Sequence, residues 1–172
     1  MKTNEKVRIV PGITASNPLD LYYMPYTHSL LAAIAWSAAA ALLYRYSGSM
    51  SGWLPGMLVG AVVFSHWILD LIVHRPDLAI YDDTIKVGLG LWNFPIIASV
   101  LEVAVLIGGM ALYLRKTKAK NAVGRFGFPV FGIAMIAIQA SVFFGPPPTS
   151  PNAAAITALV AYFVFAFVAK LI

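Results

Sequence analysis

Apolar residues along this chain gather into five long runs, separated by short polar, glycine-rich or proline-rich stretches. The first runs from about Ser29 to Tyr46 (SLLAAIAWSAAAALLYRY), the second from Leu54 to His74 and the third from Phe94 to Leu114. The fourth runs from Phe126 to Phe144, and the fifth from Ala153 to Ile172. A helix needs about 20 residues, at about 1.5 Å each, to cross the hydrocarbon of a bilayer. Each run therefore predicts a membrane helix. Ser47–Gly52 (SGSMSG) reads as a flexible turn, and Pro146–Pro148 with Pro151 as a stiff one. Arg75 precedes Pro76, and a residue before proline avoids the α region, so the second helix should close there. No repeat and no second domain stand out. The expected fold is all-α: a polytopic integral membrane helical bundle of about five transmembrane helices, one domain over residues 1–172.

Composition strengthens this picture. Hydrophobic residues make up 60% of the 172 positions and charged residues only 11%, with a mean hydropathy of +0.79. A soluble domain of this size needs more charge to cover its surface. The formal charge of +5 sits mainly between the apolar runs, as topology-setting charges beside anionic headgroups do. That placement argues for membrane lipids as partners and against nucleic acid. Arg115, Lys116, Lys118, Lys120 and Arg125 fill the loop between the third and fourth runs with no acidic residue, which marks it as cytoplasmic. The N-terminal segment and the Arg75–Trp92 loop then fall outside, with Lys2, Lys6 and Arg8 against the rule. The opening MKTNEKVRIV has no apolar core of a cleavable signal, so the first helix is expected to direct insertion. The absence of cysteine excludes disulfides and thiolate metal sites. Tyr22, Tyr23, Tyr26, Trp53 and Trp92 fit an interfacial aromatic belt.

The three histidines fall near one membrane face. His28 opens the first run, and His66, Asp70 and His74 follow one another at four-residue spacing on the second. Residues four apart share a helix face, so these three would form a stripe about 12 Å long. Glu102 lies eight residues into the third span and reaches a similar depth to His66; Gln139 on the fourth approaches the same layer. Polar groups within a membrane are costly and usually face the bundle interior. Imidazole with carboxylate suits a divalent transition metal, zinc above nickel or ferrous iron, and better than magnesium or calcium. Zinc lowers the pKa of its water to about 7, and Glu102 would serve as the catalytic acid or base. Arg75 and Lys86 in the adjoining loop suit a phosphate-bearing substrate, with Gln139 as a further substrate contact. Asp20, on an extended stretch ending in Pro25, folds back toward His28 as an additional ligand in this reading.

Plainer roles exist for each. A single histidine near a helix end is more often an interfacial residue, His66 with Asp70 can be a simple hydrogen bond, and Glu102 can join two helices. Asp82 and Asp83 beside Lys86 read as a solvated loop. Gly56-Met-Leu-Val-Gly60 is a small-x-x-x-small pattern for close helix packing. Gly88-Leu-Gly90 lacks the strand and spacing of a phosphate loop and is discarded as a nucleotide signal.

Tyr26-Thr-His-Ser-Leu30 together with Ser65-His-Trp-Ile-Leu-Asp70 resembles the bacterial inner-membrane metal-dependent hydrolases, also described as LexA-binding inner-membrane-associated hydrolases. Members pair a T-H-S-L element at a helix start with an S-H-x-x-x-D element on a following membrane helix. The H-x-x-x-D element also looks like a ligand pair of zinc-dependent phospholipases C. The resemblance covers about the first two thirds of the chain and implies that His28, His66 and Asp70 are metal ligands. It implies a hydrolase of the bacterial inner membrane acting on a lipid or phosphate ester. Members carry a further acidic element before T-H-S-L; here either Asp20 substitutes, or the site is incomplete, or the chain starts late. Two other function classes fit the residues alone. One is a small transporter or channel lined by Glu102, Gln139 and the histidines. The other is a structural subunit of a membrane complex, with a homo-oligomer or another subunit as partner. The polar residues cluster in the outer half of the membrane, which favours a closed site over a path.

Overall fold

The structure, a computed structural model, describes residues 4–47 and 52–172; the centre of the expected Ser47–Gly52 turn, and Lys2, lie outside them. The described chain forms strands β1 (Lys6–Ile9) and β2 (Leu19–Tyr23), helices α1 (Leu30–Tyr46) and α2 (Trp53–Val73), and strands β3 (Leu78–Tyr81) and β4 (Thr84–Val87). A single 3-10 turn at Leu91–Asn93 leads to α3 (Pro95–Lys116), α4 (Ala122–Phe144) and α5 (Pro151–Leu171). The fold class is all-α, as expected, with the helix bounds within a few residues of the apolar runs. Among the described residues four helices, α2 to α5, are long and apolar enough to cross a membrane, while α1 is a shorter apolar helix of 17 residues. At about 1.5 Å per residue α1 spans about 26 Å, short of the roughly 30 Å hydrocarbon core. Its ends are set by capping. Ser29 accepts from the Ala32 N–H at 3.1 Å, and Ser47 takes the C-cap position.

The chain packs as two compact units: Met1–Val10 with Leu19–Asn93, and Pro11–Pro18 with Phe94–Ile172. In the first, α1 and α2 form a close pair. A Cβ added at Gly56 would stand 2.8 Å from the Ala41 carbonyl oxygen, and one at Gly60 would stand 2.9 Å from that of Ser37. The small-x-x-x-small pattern on α2 thus faces a matching Ser37/Ala41 pair on α1, which lets the backbones touch. Ser37 turns its hydroxyl back onto the Ala33 carbonyl at 2.6 Å, so no donor is stranded at this contact.

Two short hairpins flank the helix pair. β1 and β2 pair antiparallel with Lys6 opposite Tyr23, Arg8 opposite Asp20 and Ile9 opposite Leu19, and an irregularity lies between Lys6 and Arg8. β3 and β4 pair antiparallel with Leu78 opposite Val87 and Tyr81 opposite Thr84. Asp82 and Asp83 form the two-residue turn of that hairpin, with Asp82 at φ 49°, a conformation that aspartate tolerates. After β4 the chain returns to the end of α2. The N–H groups of Leu89 and Gly90 donate to the Leu71 and His74 carbonyls at 2.8 and 2.6 Å, closing carbonyls that the helix terminus leaves open. Gly88, at φ 156°, passes against the Arg75 carbonyl where no side chain fits. This is the use of the Gly88-Leu-Gly90 element.

In the second unit, α3 and α5 each begin with proline at their first position (Pro95 and Pro151), where a missing N–H costs nothing. Asn121 and Ser150 cap α4 and α5 by accepting from Gly124 and Ala153 at 2.9 and 3.1 Å. Tyr113 stacks on Phe128 between α3 and α4 at 4.4 Å, and Phe131 meets Phe165 between α4 and α5 at 5.8 Å. The most apolar stretch of α5 is 0% buried by protein. Such a surface belongs against lipid, and the protein is an integral membrane protein in contact with it.

Replacing Gly60 with isoleucine is expected to destabilise the α1–α2 pair by about 1–3 kcal/mol. Thermal unfolding in detergent should show a lowered midpoint, whereas Gly108→Ala, whose added Cβ meets nothing within 4 Å, should leave it unchanged.

Candidate metal centre

The site is assembled at the start of α1 and the C-terminal half of α2. Ser29 holds the entry to α1 from both sides, since its hydroxyl also donates to the Pro25 carbonyl at 2.6 Å. Two indoles then fix the turn before it. Trp36 of α1 donates to the Tyr26 carbonyl at 2.8 Å, and Trp67 of α2 donates to the His28 carbonyl at 3.1 Å. Glu5 completes the clasp by accepting from the backbone N–H groups of Tyr26 and Thr27, both at 2.8 Å. Backbone groups drawn into a tight turn beside apolar helices need such partners. His28 is thereby presented to α2 on a fixed backbone.

On α2 the four-residue spacing does what the sequence predicts and places His66 and Asp70 on one face. His66 Nε2 lies 3.2 Å from Asp70 Oδ2, and His28 Nε2 lies 3.9 Å from the same oxygen. One potential ligand atom from each of His28, His66 and Asp70 falls within 4.8 Å of the other two. Asp70 Oδ2 is buried and makes no well-aligned hydrogen bond, its nearest polar neighbours being the two imidazoles at 3.2 and 3.9 Å. A buried carboxylate oxygen in that condition is costly, and a cation between it and the two imidazoles would satisfy it. Ligand atoms around a tetrahedral zinc stand about 3.3 Å apart at Zn–N lengths of about 2.0–2.1 Å; the His66–Asp70 pair is at that separation, while His28 stands wider, at 3.9 Å from Asp70. Two histidines and one carboxylate also leave a coordination position open, as catalytic sites do. The residues fit a divalent transition metal. Burial pushes the His28 imidazole below its ordinary value of 6.5; nearby Asp70 pulls the other way, and His74 and His66 add to the lowering. A shift in this direction favours the neutral form, which is the form that ligates metal.

His74 departs from the expected stripe. α2 ends at Val73 and His74 takes extended geometry (ψ 147°) as its C-cap, so the helical spacing no longer aims it along the face of His66 and Asp70. Its Nδ1 pairs with Asp77 Oδ1 at 3.0 Å, and its ring packs on Trp92 at 4.3 Å, with 6.3 Å to the His28 ring. It lines the back of the cluster and is not among the three grouped ligand atoms. Asp20 is placed elsewhere too. It is 2% exposed, takes the Arg8 guanidinium at 2.9 and 2.6 Å on Oδ2, and takes Arg75 on Oδ1. Both its oxygens are matched by cations, and it stands apart from the candidate ligands His28, His66 and Asp70. Arg75, expected as a phosphate contact, lies between Asp20 and Asp77, the latter at 3.4 Å. Lys86 donates to the Tyr22 carbonyl at 2.7 Å and pairs with Asp83 at 2.8 Å. These two cations serve as ties of the hairpins. Glu102 and Gln139 belong to the second unit, where the Gln139 amide donates to the Glu102 carboxylate and ties α3 to α4.

A pocket of about 340 Å³ adjoins the cluster, lined by Thr27, His28, Ala33, Trp36, Val63, His66 and Trp67. His66 faces it with a side chain 62% exposed. Two residues of the site, Glu5 and Asp77, escaped the sequence reading, and Thr27 entered it only as part of the T-H-S-L element. The alternation in Lys6–Val10 and Leu19–Tyr23 around Pro11-Gly12 is the signal that would have disclosed the first hairpin and so brought Glu5 opposite the His28 turn. Comparison with known protein families, with curated proteins and with solved structures returned no match to this chain.

Removing the charge of Asp20 separates these roles. Asp20→Asn is expected to destabilise the first unit by about 1–3 kcal/mol, since Arg8 and Arg75 lose a buried charged acceptor while Arg75 keeps Asp77. Metal content should stay unchanged; loss of metal at unchanged stability would restore Asp20 to the ligand set.

Proposed function

We propose that this protein is a membrane-embedded, metal-dependent hydrolase of the bacterial inner membrane, acting on a lipid or related ester at the membrane face. The observation that carries the reading is the convergence of His28 Nε2, His66 Nε2 and the buried Asp70 Oδ2. The motif resemblance around Thr27-His28-Ser29 and His66–Asp70 supports the same assignment. When bound there, zinc or a similar ion supplies Lewis acidity and activates water for attack at neutral pH. His28, His66 and Asp70 hold the ion, and the indoles of Trp36 and Trp67 keep the His28 turn in place.

The adjoining pocket supports an amphiphilic substrate. Ala33, Trp36, Val63 and Trp67 offer apolar wall, while Thr27, His28 and His66 are the polar groups at the cluster. An acyl or prenyl chain along that wall would present its ester to the histidines. Recognition of a phosphate by Arg75 or Lys86 receives less support, because both cations are already paired with carboxylates.

The test is metal content of the detergent-purified protein by elemental mass spectrometry, alongside a His66→Ala/Asp70→Ala double variant. About one equivalent of zinc, nickel or iron in the parent, lost in the variant, is the expected result and directs hydrolysis assays to lipid esters. A parent that stays metal-free after metal is added back would sink the hydrolase reading.

A further inference from the structure

The Glu5 carboxylate does more than hold a turn. Its Oε1 accepts from the Tyr26 and Thr27 N–H groups, while its Oε2 stands 2.8 Å from the Thr27 hydroxyl. That hydroxyl in turn stands 2.7 Å from His28 Nδ1. A threonine hydroxyl has one hydrogen to give, and a carboxylate has only lone pairs. With the Thr27 hydrogen directed to Glu5, the bond to His28 is made only if His28 Nδ1 carries a proton and donates it to the Thr27 oxygen. A neutral imidazole then has its free lone pair on Nε2, the atom that faces Asp70 at 3.9 Å.

We infer that Glu5, acting through Thr27, is a positioning residue that fixes the His28 tautomer so that Nε2 is the ligating nitrogen. The inference rests on the metal reading for its purpose, though the relay itself consists of protein groups alone. Histidine ligands commonly give their second N–H to a carboxylate or carbonyl, which sets ring orientation and raises basicity. Here the carboxylate reaches the imidazole through an intervening hydroxyl, and it comes from the segment leading into β1, 23 residues away by numbering (28 minus 5). The same carboxylate anchors the backbone of Tyr26 and Thr27, so ring orientation and backbone position are set by one group. His66, by comparison, carries a mostly exposed side chain, so the proton placement argued here belongs to His28.

Glu5→Gln gives a sharp test because it keeps the shape and reverses one bond. The amide oxygen can still accept from the two backbone N–H groups, while the amide nitrogen takes the place of Oε2 and donates to Thr27. Thr27 then turns its hydrogen to His28 Nδ1, and the ring proton moves to Nε2. Ring-nitrogen NMR on isotope-labelled histidine, assigned with His28→Asn, reads the tautomer in metal-free protein. Zinc affinity is read separately by competition with a chelator. The expected result is an Nδ1–H tautomer in the parent and in Thr27→Ser, and an Nε2–H tautomer in Glu5→Gln. Zinc binding should be about 10- to 100-fold weaker in Glu5→Gln and near parental in Thr27→Ser, with helical content by circular dichroism unchanged in all. An Nε2–H tautomer in the parent, or no change in Glu5→Gln, overturns the inference. An Nδ1–H tautomer that shifts as described in a protein that binds no zinc supports the relay and sinks the metal reading, so the two failures are told apart.

Discussion

Asp70 sits on a helix long and apolar enough to cross a membrane, and its carboxylate is buried. Taking such a group out of water costs several kcal/mol unless positive charge or well-placed hydrogen bonds meet it. Around this oxygen the first unit arranges two imidazoles, one from its own helix and one from the entry to α1. For His28 to reach it, α1 and α2 must run nearly in contact, which the glycines at 56 and 60 permit. The turn carrying His28 must also be held still, and this falls to Ser29, Trp36, Trp67 and Glu5.

A second layer of charge lies behind the histidines. Arg8, Asp20, Arg75, Asp77 and His74 form a chain in which each acidic group stands between basic partners. The carboxylates in it are 4% exposed by side chain, so its members depend on one another far more than surface pairs do. The chain joins the first hairpin to the end of α2, and Lys86 makes a parallel tie from the second hairpin to the Tyr22 carbonyl. Cations that look suited to an anionic substrate when read singly are here the fastenings of small strands that have little core of their own.

The helices were legible because a run of apolar residues about as long as a bilayer is thick rarely serves any purpose but to cross one. The His66–Asp70 pairing was legible for an equally local reason, the four-residue repeat of a helix. His74 fell outside that logic, since the repeat stops when the helix does, one residue before it. The hairpins were hidden by their brevity. Strands of four or five residues carry only two or three alternations, too few to stand out beside five long apolar segments. What depended on the hairpins was hidden with them: the two arginines on Asp20, the partner of His74, and Glu5 beside Thr27. Depth counting brought Glu102 and Gln139 to one layer, and they do meet across α3 and α4; that they meet each other is a matter of packing that spacing does not encode.

Of the four tryptophans in the chain, three stand at this end of the first unit. Trp36 and Trp67 wall the pocket beside His28 and His66, and Trp92 lies on the His74 ring at 4.3 Å. The fourth, Trp53, lies beside Arg45. Intrinsic ultraviolet emission from the folded protein is therefore weighted toward one small region. The molecule carries its own optical reporter there, and whatever enters or leaves the neighbourhood of the histidines is seen without any added dye.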